Sequence, residues 1–366
     1  MDKPVLDYPW DDLPPAGTTK EVAPGVRWLQ MPLPFALDHI NLYLIDDGDS
    51  WAIVDTGIRG DETRAHWEQI IANELDGKPI GTVIVTHMHP DHVGQAGWLT
   101  RTFDAEFWMS RGEYYYARAI EGSRKEEFQD AAIAFFAKGG LPQKTLDHIR
   151  KTRWGNYDKA VEPIPVGYRR LIDGESLTLG GRRWDVVTGS GHSPEHACLM
   201  CEELGVLISG DQVLPRITSN VSVNPNEPEE NPLKFWLASH EKFLGLPDSL
   251  LVLPSHNKPF HGLHARLNYL IYHHEDRMLA VEEQCVEPKT AYELLPVMFE
   301  RELDDFQMTL ALGECLSHLH LLMDRGRLSR EMGADGIYRY QSIDPTLAQR
   351  AHPDTHDPKD DAPIMV

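Results

Sequence analysis

Short blocks of apolar residues punctuated by turn-forming residues fill the first part of the chain. Val26 to Met31, Ile40 to Ile45 and Trp51 to Asp55 are β-prone runs of strand length. Asp46-Asp47-Gly48-Asp49 separates the last two and has the composition of a hairpin turn. From Asp61 to Leu75 the period changes: Trp67, Ile70, Ile71 and Leu75 share one face of a predicted helix. Thr82 to Thr86 is an apolar run, as expected of a strand covered on both faces.

Phe103 to Leu171 has a different texture. Phe128, Ala131, Ala132, Phe135 and Phe136 recur at helical spacing, and a second helix is expected from Pro142 to Lys151. Tyr114, Tyr115, Tyr116 and Trp154 lie nearby. This stretch, about 104–170, reads as a helical insertion, and simple packing is the expected role of most of its aromatics. Strands return at Trp184 to Thr188, Ala197 to Cys201, Val206 to Ser209 and Leu250 to Leu253, with a turn at Glu202-Glu203-Leu204-Gly205. After Gly262 the pattern is helical, with Leu312, Cys315, Leu316, Leu319 and Met323 forming a stripe. Gly333-Ala334-Asp335-Gly336 followed by Ile337 to Tyr340 predicts a small hairpin. The polar tail, 345–366, reads as disordered.

Length and charge narrow the classes. At 366 residues the chain can bury a sizeable core and hold more than one domain. Its formal charge of −22 opposes nonspecific binding to nucleic acid or anionic membranes. Met1 to Gly17 lacks the basic start and apolar run of a signal peptide, and no segment has the uninterrupted apolarity of a membrane span. Cys198 and Cys201 form a lone Cys-x-x-Cys, with Cys285 and Cys315 elsewhere. Without a second pair, they read as buried thiols of a protein in a reducing cytoplasm.

Candidate chemistry concentrates in seven residues. His87, His89, Asp91 and His92 are clustered in Thr86-His87-Met88-His89-Pro90-Asp91-His92, just beyond a predicted strand. His192, Asp211 and His256 each follow a predicted strand as well. Strand ends along one edge of a sheet can converge on one point. Imidazole and carboxylate are ligands for zinc and similar ions. A carboxylate can bridge two such ions, and a water between them loses a proton near neutral pH and becomes a nucleophile. A lone histidine is ordinarily structural, and this chain has 18. Four ligand-type residues within one turn are more specific, because burying them without a metal is costly.

The pattern resembles the metallo-β-lactamase superfamily over roughly Val26 to Leu263, with a gap at the insertion. The resemblance implies an α/β fold, an αβ/βα sandwich with its site along one edge. It implies His87, His89 and His192 as ligands of a first metal, and Asp91, His92 and His256 as ligands of a second. Asp211 is then the bridge, and Asp91 and Asp211 are the carboxylates on which catalysis depends. Asp55, in Val54-Asp55-Thr56-Gly57, matches a position supporting the site from behind, although a turn-forming role is as well founded.

Within the superfamily, flavodiiron proteins carry a glutamate at the position of His89, and the commonest true β-lactamases a cysteine at that of Asp211. The ligand set is closer to glyoxalase II, lactonases and the nuclease branches. Glu195, in place of glycine, and the setting of His256 both depart from glyoxalase II. Residues 264–344 resemble a winged-helix extension, some relatives of which cut RNA. Here Glu275 to Tyr340 carries fourteen Asp and Glu against seven Lys and Arg, the wrong sign for tracking phosphates. The expected domains are an N-terminal extension (1–25), a hydrolase domain (26–263), the winged-helix-like unit and the tail. The expected enzyme holds two divalent ions, zinc foremost with iron or manganese as alternatives, and hydrolyses a small ester, thioester or lactone. A metal-dependent endoribonuclease or other phosphodiesterase is the alternative. Arg111, Arg118 and Lys138 are candidates for contacting the phosphates of an acyl-CoA, and the insertion is expected to fold over the cleft.

Overall fold

A computed structural model describes residues 3–34, 37–123, 125–152 and 157–347. The strands and helices in chain order are β1 (Lys20–Ala23), β2 (Val26–Pro32), β3 (His39–Asp46), β4 (Trp51–Val54), α1 (Asp61–Asn73), β5 (Ile80–Ile84), α2 (Pro90–Val93), α3 (Ala96–Phe103), β6 (Glu106–Ser110) and α4 (Arg111–Gly122). They continue with α5 (Lys125–Lys138), α6 (Gln143–Thr152), α7 (Tyr157–Ala160), β7 (Arg169–Leu171), β8 (Ser176–Leu179), β9 (Arg182–Gly189), β10 (His196–Cys201) and β11 (Val206–Gly210). Last come α8 (Pro232–Phe243), β12 (Leu251–Pro254), α9 (Leu263–Gln284), α10 (Ala291–Met298), α11 (Asp305–Asp324), β13 (Leu328–Met332) and β14 (Tyr338–Ser342).

Two sheets form the centre. Strands β1 to β7 lie in sequence order, the first four antiparallel and the rest joined by parallel pairings. The second sheet runs β12-β11-β10-β9-β8, with only β11 and β12 parallel. Alternation decides the layers. Trp28, Tyr43, Ala52 and Val54 face the second sheet and pack with Trp184, Val186, Leu199 and Ile208. Their neighbours Leu29, Leu42, Leu44 and Ile53 face outward onto Trp67 and Ile70 of α1 and Leu99 of α3. On the other flank, Val187, Cys198, Leu207 and Val252 meet Phe243 of α8 and Leu263 and Leu267 of α9. The result is the expected αβ/βα sandwich.

The expected insertion is helical only between Arg111 and Ala160. At its ends, β6 and β7 are strands of the first sheet. β6 is a five-residue run buried at every position but its first, too short for periodicity to separate it from the helix that follows. The helical part divides. Tyr114 and Ala117 of α4 and Tyr157 of α7 pack on the first sheet. Ala132 and Phe136 of α5, with Leu146 and Ile149 of α6, instead share a core with α8, α9, α10 and α11. Strand β1 extends the first sheet to Lys20, so the N-terminal segment is partly inside the sandwich. Helices α9 to α11 are followed by the β13–β14 hairpin, the order anticipated for the C-terminal unit. Pro345–Leu347 forms a short helical turn, and the remainder of the tail, like Trp154, lies outside the described residues.

Candidate metal centre

All four segments that carry the candidate ligands leave their strands at one edge of the sandwich. His87 follows β5, His192 follows β9, Asp211 follows β11 and His256 follows β12. The sheets are tied together there: the Ala197 amide donates to the Thr86 carbonyl at 2.9 Å, and Asn41 N donates to Ser255 O at 2.7 Å. Pro90 at the first turn of α2 starts a four-residue helix that turns Asp91 and His92 inward.

The side chains converge as three overlapping groups: His87, His89 and His192; His87, His92 and Asp211; and Asp91, His92 and His256. In the first, His87 Nε2 lies 2.8 Å from His89 Nδ1 and 3.2 Å from His192 Nε2. In the third, Asp91 Oδ2 lies 3.5 Å from both His92 Nε2 and His256 Nε2. Asp211 stands between them, with Oδ2 3.5 Å from His192 Nε2 and Oδ1 3.4 Å from His256 Nε2.

The far sides of three of the rings are already engaged. His92 Nδ1 meets Asp55 Oδ2 at 2.7 Å, His192 Nδ1 donates to the Asn220 carbonyl at 2.7 Å, and His256 Nδ1 faces the His39 carbonyl at 3.2 Å. Such partners fix the tautomer and aim the other nitrogen inward. His92 Nε2, His256 Nε2 and Asp211 Oδ1 are buried with no hydrogen-bond partner among the described residues. Orphaned atoms of this kind are costly to bury, and divalent cations would satisfy them all, so the residues fit a metal site.

Electrostatics shows the same frustration. Burial, then the neighbouring His92, holds the His87 pKa well below the ordinary imidazole value, and burial brings His89 down to about 3. Burial opposes charge on His92 too, but Asp91, Asp55 and Asp211 override it and raise its pKa. For Asp211, burial is outweighed by His256 and His92, which hold its carboxyl well below the carboxylate range.

Asp55 proves to combine both anticipated roles. It has a φ of +63° at the end of β4, and it accepts from Thr86 N at 2.8 Å and Thr86 Oγ1 at 2.9 Å while bonded to His92. Two buried residues were not anticipated. His196 stacks on His87 with ring centroids 4.7 Å apart and accepts from Asp211 N at 3.0 Å. Gly210, at φ +54°, allows that approach, because a Cβ there would fall 2.4 Å from the His196 ring. Glu113 of α4 accepts from Met88 N at 2.9 Å and Glu195 N at 2.7 Å, linking the two loops that carry His87, His89 and His192. Burial pushes its pKa up to about 7. A polar residue opening an otherwise apolar strand could have flagged His196, whereas Glu113 is one acid among 57 Asp and Glu.

A cleft of about 310 Å³ opens onto His89 and His192. Met88, Tyr116, Pro194 and Phe235 give it apolar walls, and Glu227 and Glu230 line it together with serine hydroxyls. Among the described residues of the helical insertion, only Tyr116 reaches it. Tyr114 instead stacks on Tyr168 at 3.8 Å, and Phe135 lines a separate pocket. Arg111, Arg118 and Lys138 do not line the cleft either: Arg118 pairs with Glu121, and Lys138 lies at the separate pocket.

The model of the metallo-beta-lactamase superfamily matches residues 36–256 and so spans all seven residues. The chain belongs to the metallo-beta-lactamase superfamily. A second model, the metallo-beta-lactamase-like C-terminal domain, matches residues 278–343 of this superfamily member. A beta-lactamase domain protein from Burkholderia ambifaria is 48% identical, with a TM-score of 0.86 over 92% of this chain and 98% of that one. A metallo-beta-lactamase family protein from Thermus thermophilus is 31% identical, with a TM-score of 0.74 over 88% of this chain and all of that one. The probable metallo-hydrolase YqjP of Bacillus subtilis is 26% identical across 80% of this chain and 91% of its own length. An atrochrysone carboxyl ACP thioesterase from Cryptosporiopsis is 27% identical over 59% of this chain, which spans about half of that relative, 52%. The chain is thus a hydrolytic enzyme of the metallo-hydrolase kind. No helix among the described residues is long and apolar enough to cross a membrane.

Proposed function

We propose that this chain is a dinuclear metal-dependent hydrolase of a small ester, thioester or lactone. The observation that carries the reading is the placement of Asp211 between two ligand groups, with one oxygen near His192 and the other near His256. His87, His89 and His192 would hold one ion, Asp91, His92 and His256 the other, and Asp211 both. Divalent ions there would supply Lewis acidity and make water acidic enough to attack near neutral pH. Zinc suits a donor set of imidazole and carboxylate without thiolate. The protein's own part is to aim the ring nitrogens, through Asp55, Asn220 and the His39 carbonyl, and to shape the cleft.

Charge favours a small acyl substrate over RNA. The described residues lining the cleft include Glu227 and Glu230 but no Lys or Arg. Burial, and then the Glu227 carboxylate, pushes the Glu230 pKa up to about 7, so this wall resists further negative charge. A polyanion would also approach a chain of formal charge −22. The apolar wall of Met88, Tyr116 and Phe235 suits an acyl group, and the name of the Cryptosporiopsis relative, a thioesterase, agrees. The test is kcat/KM of the zinc-loaded protein on ester, thioester and lactone panels against single-stranded RNA at low salt. Acyl hydrolysis without RNA cleavage is expected. Efficient RNA cleavage with no acyl hydrolysis would establish the phosphodiesterase instead.

A further inference from the structure

The loop from Asp211 to Asn231 joins β11 to α8 and carries one wall of the cleft, including Ser222 and Asn224. The Asn220 carbonyl accepts from His192 Nδ1 at 2.7 Å. Earlier in the loop, the Ser219 hydroxyl donates to the Asp211 carbonyl. The loop therefore touches two of the proposed ligands, and its support comes from α11, far along the chain.

Contacts around Asn220 give that support where the loop meets His192. Asn220 Nδ2 donates to Glu314 Oε2 at 3.1 Å, and Glu314 is buried. Val223 N donates to the Gly313 carbonyl at 3.0 Å. Ser222 Oγ donates to Asn220 Oδ1 at 2.6 Å and contacts the Leu310 carbonyl at 3.2 Å. Gly313 is what permits so close an approach. A Cβ on it would fall 2.8 Å from Ser222 Cβ and 2.9 Å from the Val223 carbonyl oxygen, so the loop would have to move.

We propose that Gly313 and Glu314 are positioning residues of the metal centre. Helix α11 holds Asn220 where its carbonyl accepts a hydrogen bond from His192 Nδ1–H, which leaves His192 Nε2 with a lone pair facing His87 and Asp211. The C-terminal helices are by this route part of the hydrolase site. The proposal rests on the reading of His192 as a ligand.

The test is zinc affinity of the full chain, measured by competition with a chromophoric chelator, for the parent and for His192→Ala, Glu314→Ala, Glu314→Gln and Gly313→Ala. His192→Ala identifies the affected binding step. Glu314→Ala should weaken that step about tenfold, the lower end of the usual cost of losing a supporting partner. Glu314→Gln, whose carbonyl can accept the same Asn220 bond, should stay within about twofold of the parent, and Gly313→Ala should weaken binding without removing any hydrogen-bonding side chain. In metal-free protein, ¹⁵N-histidine NMR should show the Nδ1–H form of His192 in the parent and in Glu314→Gln, with a mixture of tautomers in Glu314→Ala. Parental zinc affinity and an unchanged tautomer in Glu314→Ala would overturn the proposal. Unchanged zinc binding in His192→Ala would overturn it through its premise, the ligand assignment itself.

Discussion

Asp55 at φ +63° spends one carboxylate oxygen on Thr86 N and the other on Thr86 Oγ1 and His92 Nδ1. The residue touches no candidate ion position directly, but it decides which nitrogen of His92 faces inward. Asp55→Ala should therefore lower metal affinity about 10- to 100-fold while leaving both sites fillable at saturating zinc. Asp211→Ala should behave differently, since one side chain serves both groups: affinity falls at both steps and turnover disappears. Metal titration of the two variants separates them, and near-normal activity with two metals in Asp211→Ala would refute the bridging role. At this scale the sequence was most informative where ligand types cluster, as from His87 to His92. His196 and Glu113 escaped notice because a side chain behind a ligand needs no motif: its partner is chosen by folding, from residues far apart in the chain.

Helix α4 and the buried histidines of α8, α9 and α11 give independent tests. Helix α4 brings Tyr116 to the cleft, so Tyr116→Ala should raise KM about tenfold with metal content intact, the loss of one apolar contact to the acyl group. An unchanged KM across the acyl panel would remove α4 from substrate recognition. Helices α8, α9 and α11 bury His240, His274 and His318, with His274 Nδ1 3.2 Å from His318 Nε2. Burial brings His240 and His318 down to about 4 and also lowers His274. Depressed pKa values mean that the unfolded chain takes up more protons, so this contribution to stability is complete above about pH 6.5 and is lost as pH falls toward 4. His240→Phe should accordingly lose less unfolding free energy between pH 7 and pH 5 than the parent, by about 2 kcal/mol. Equal losses in urea titrations at the two pH values would show that His240 does not titrate as placed. Elements with long, regular periodicity, such as α1 and the stripe of α11, were readable from the sequence. β6 was not, because a short buried run has no period, and the split of the insertion between two cores depends on partners that local pattern does not name.

For the whole molecule, the sandwich, the convergence of strand ends and the order of helices and hairpin after Gly262 followed from pattern together with family resemblance. The sharing of one core by α5, α6 and the C-terminal helices did not. Helix α11, a member of that shared core, also meets the cleft loop at Asn220, Ser222 and Val223. Charge acts at the same scale: an acidic surface and an acidic cleft wall point toward small acyl substrates. The proposed hydrolase presupposes two ions, because seven ligand-type residues in three overlapping groups exceed what one tetrahedral centre can use. The direct measurement is elemental analysis of the full-length protein after saturation with zinc and removal of loosely held metal. Two equivalents per chain are expected, and a plateau at one would contradict the dinuclear centre.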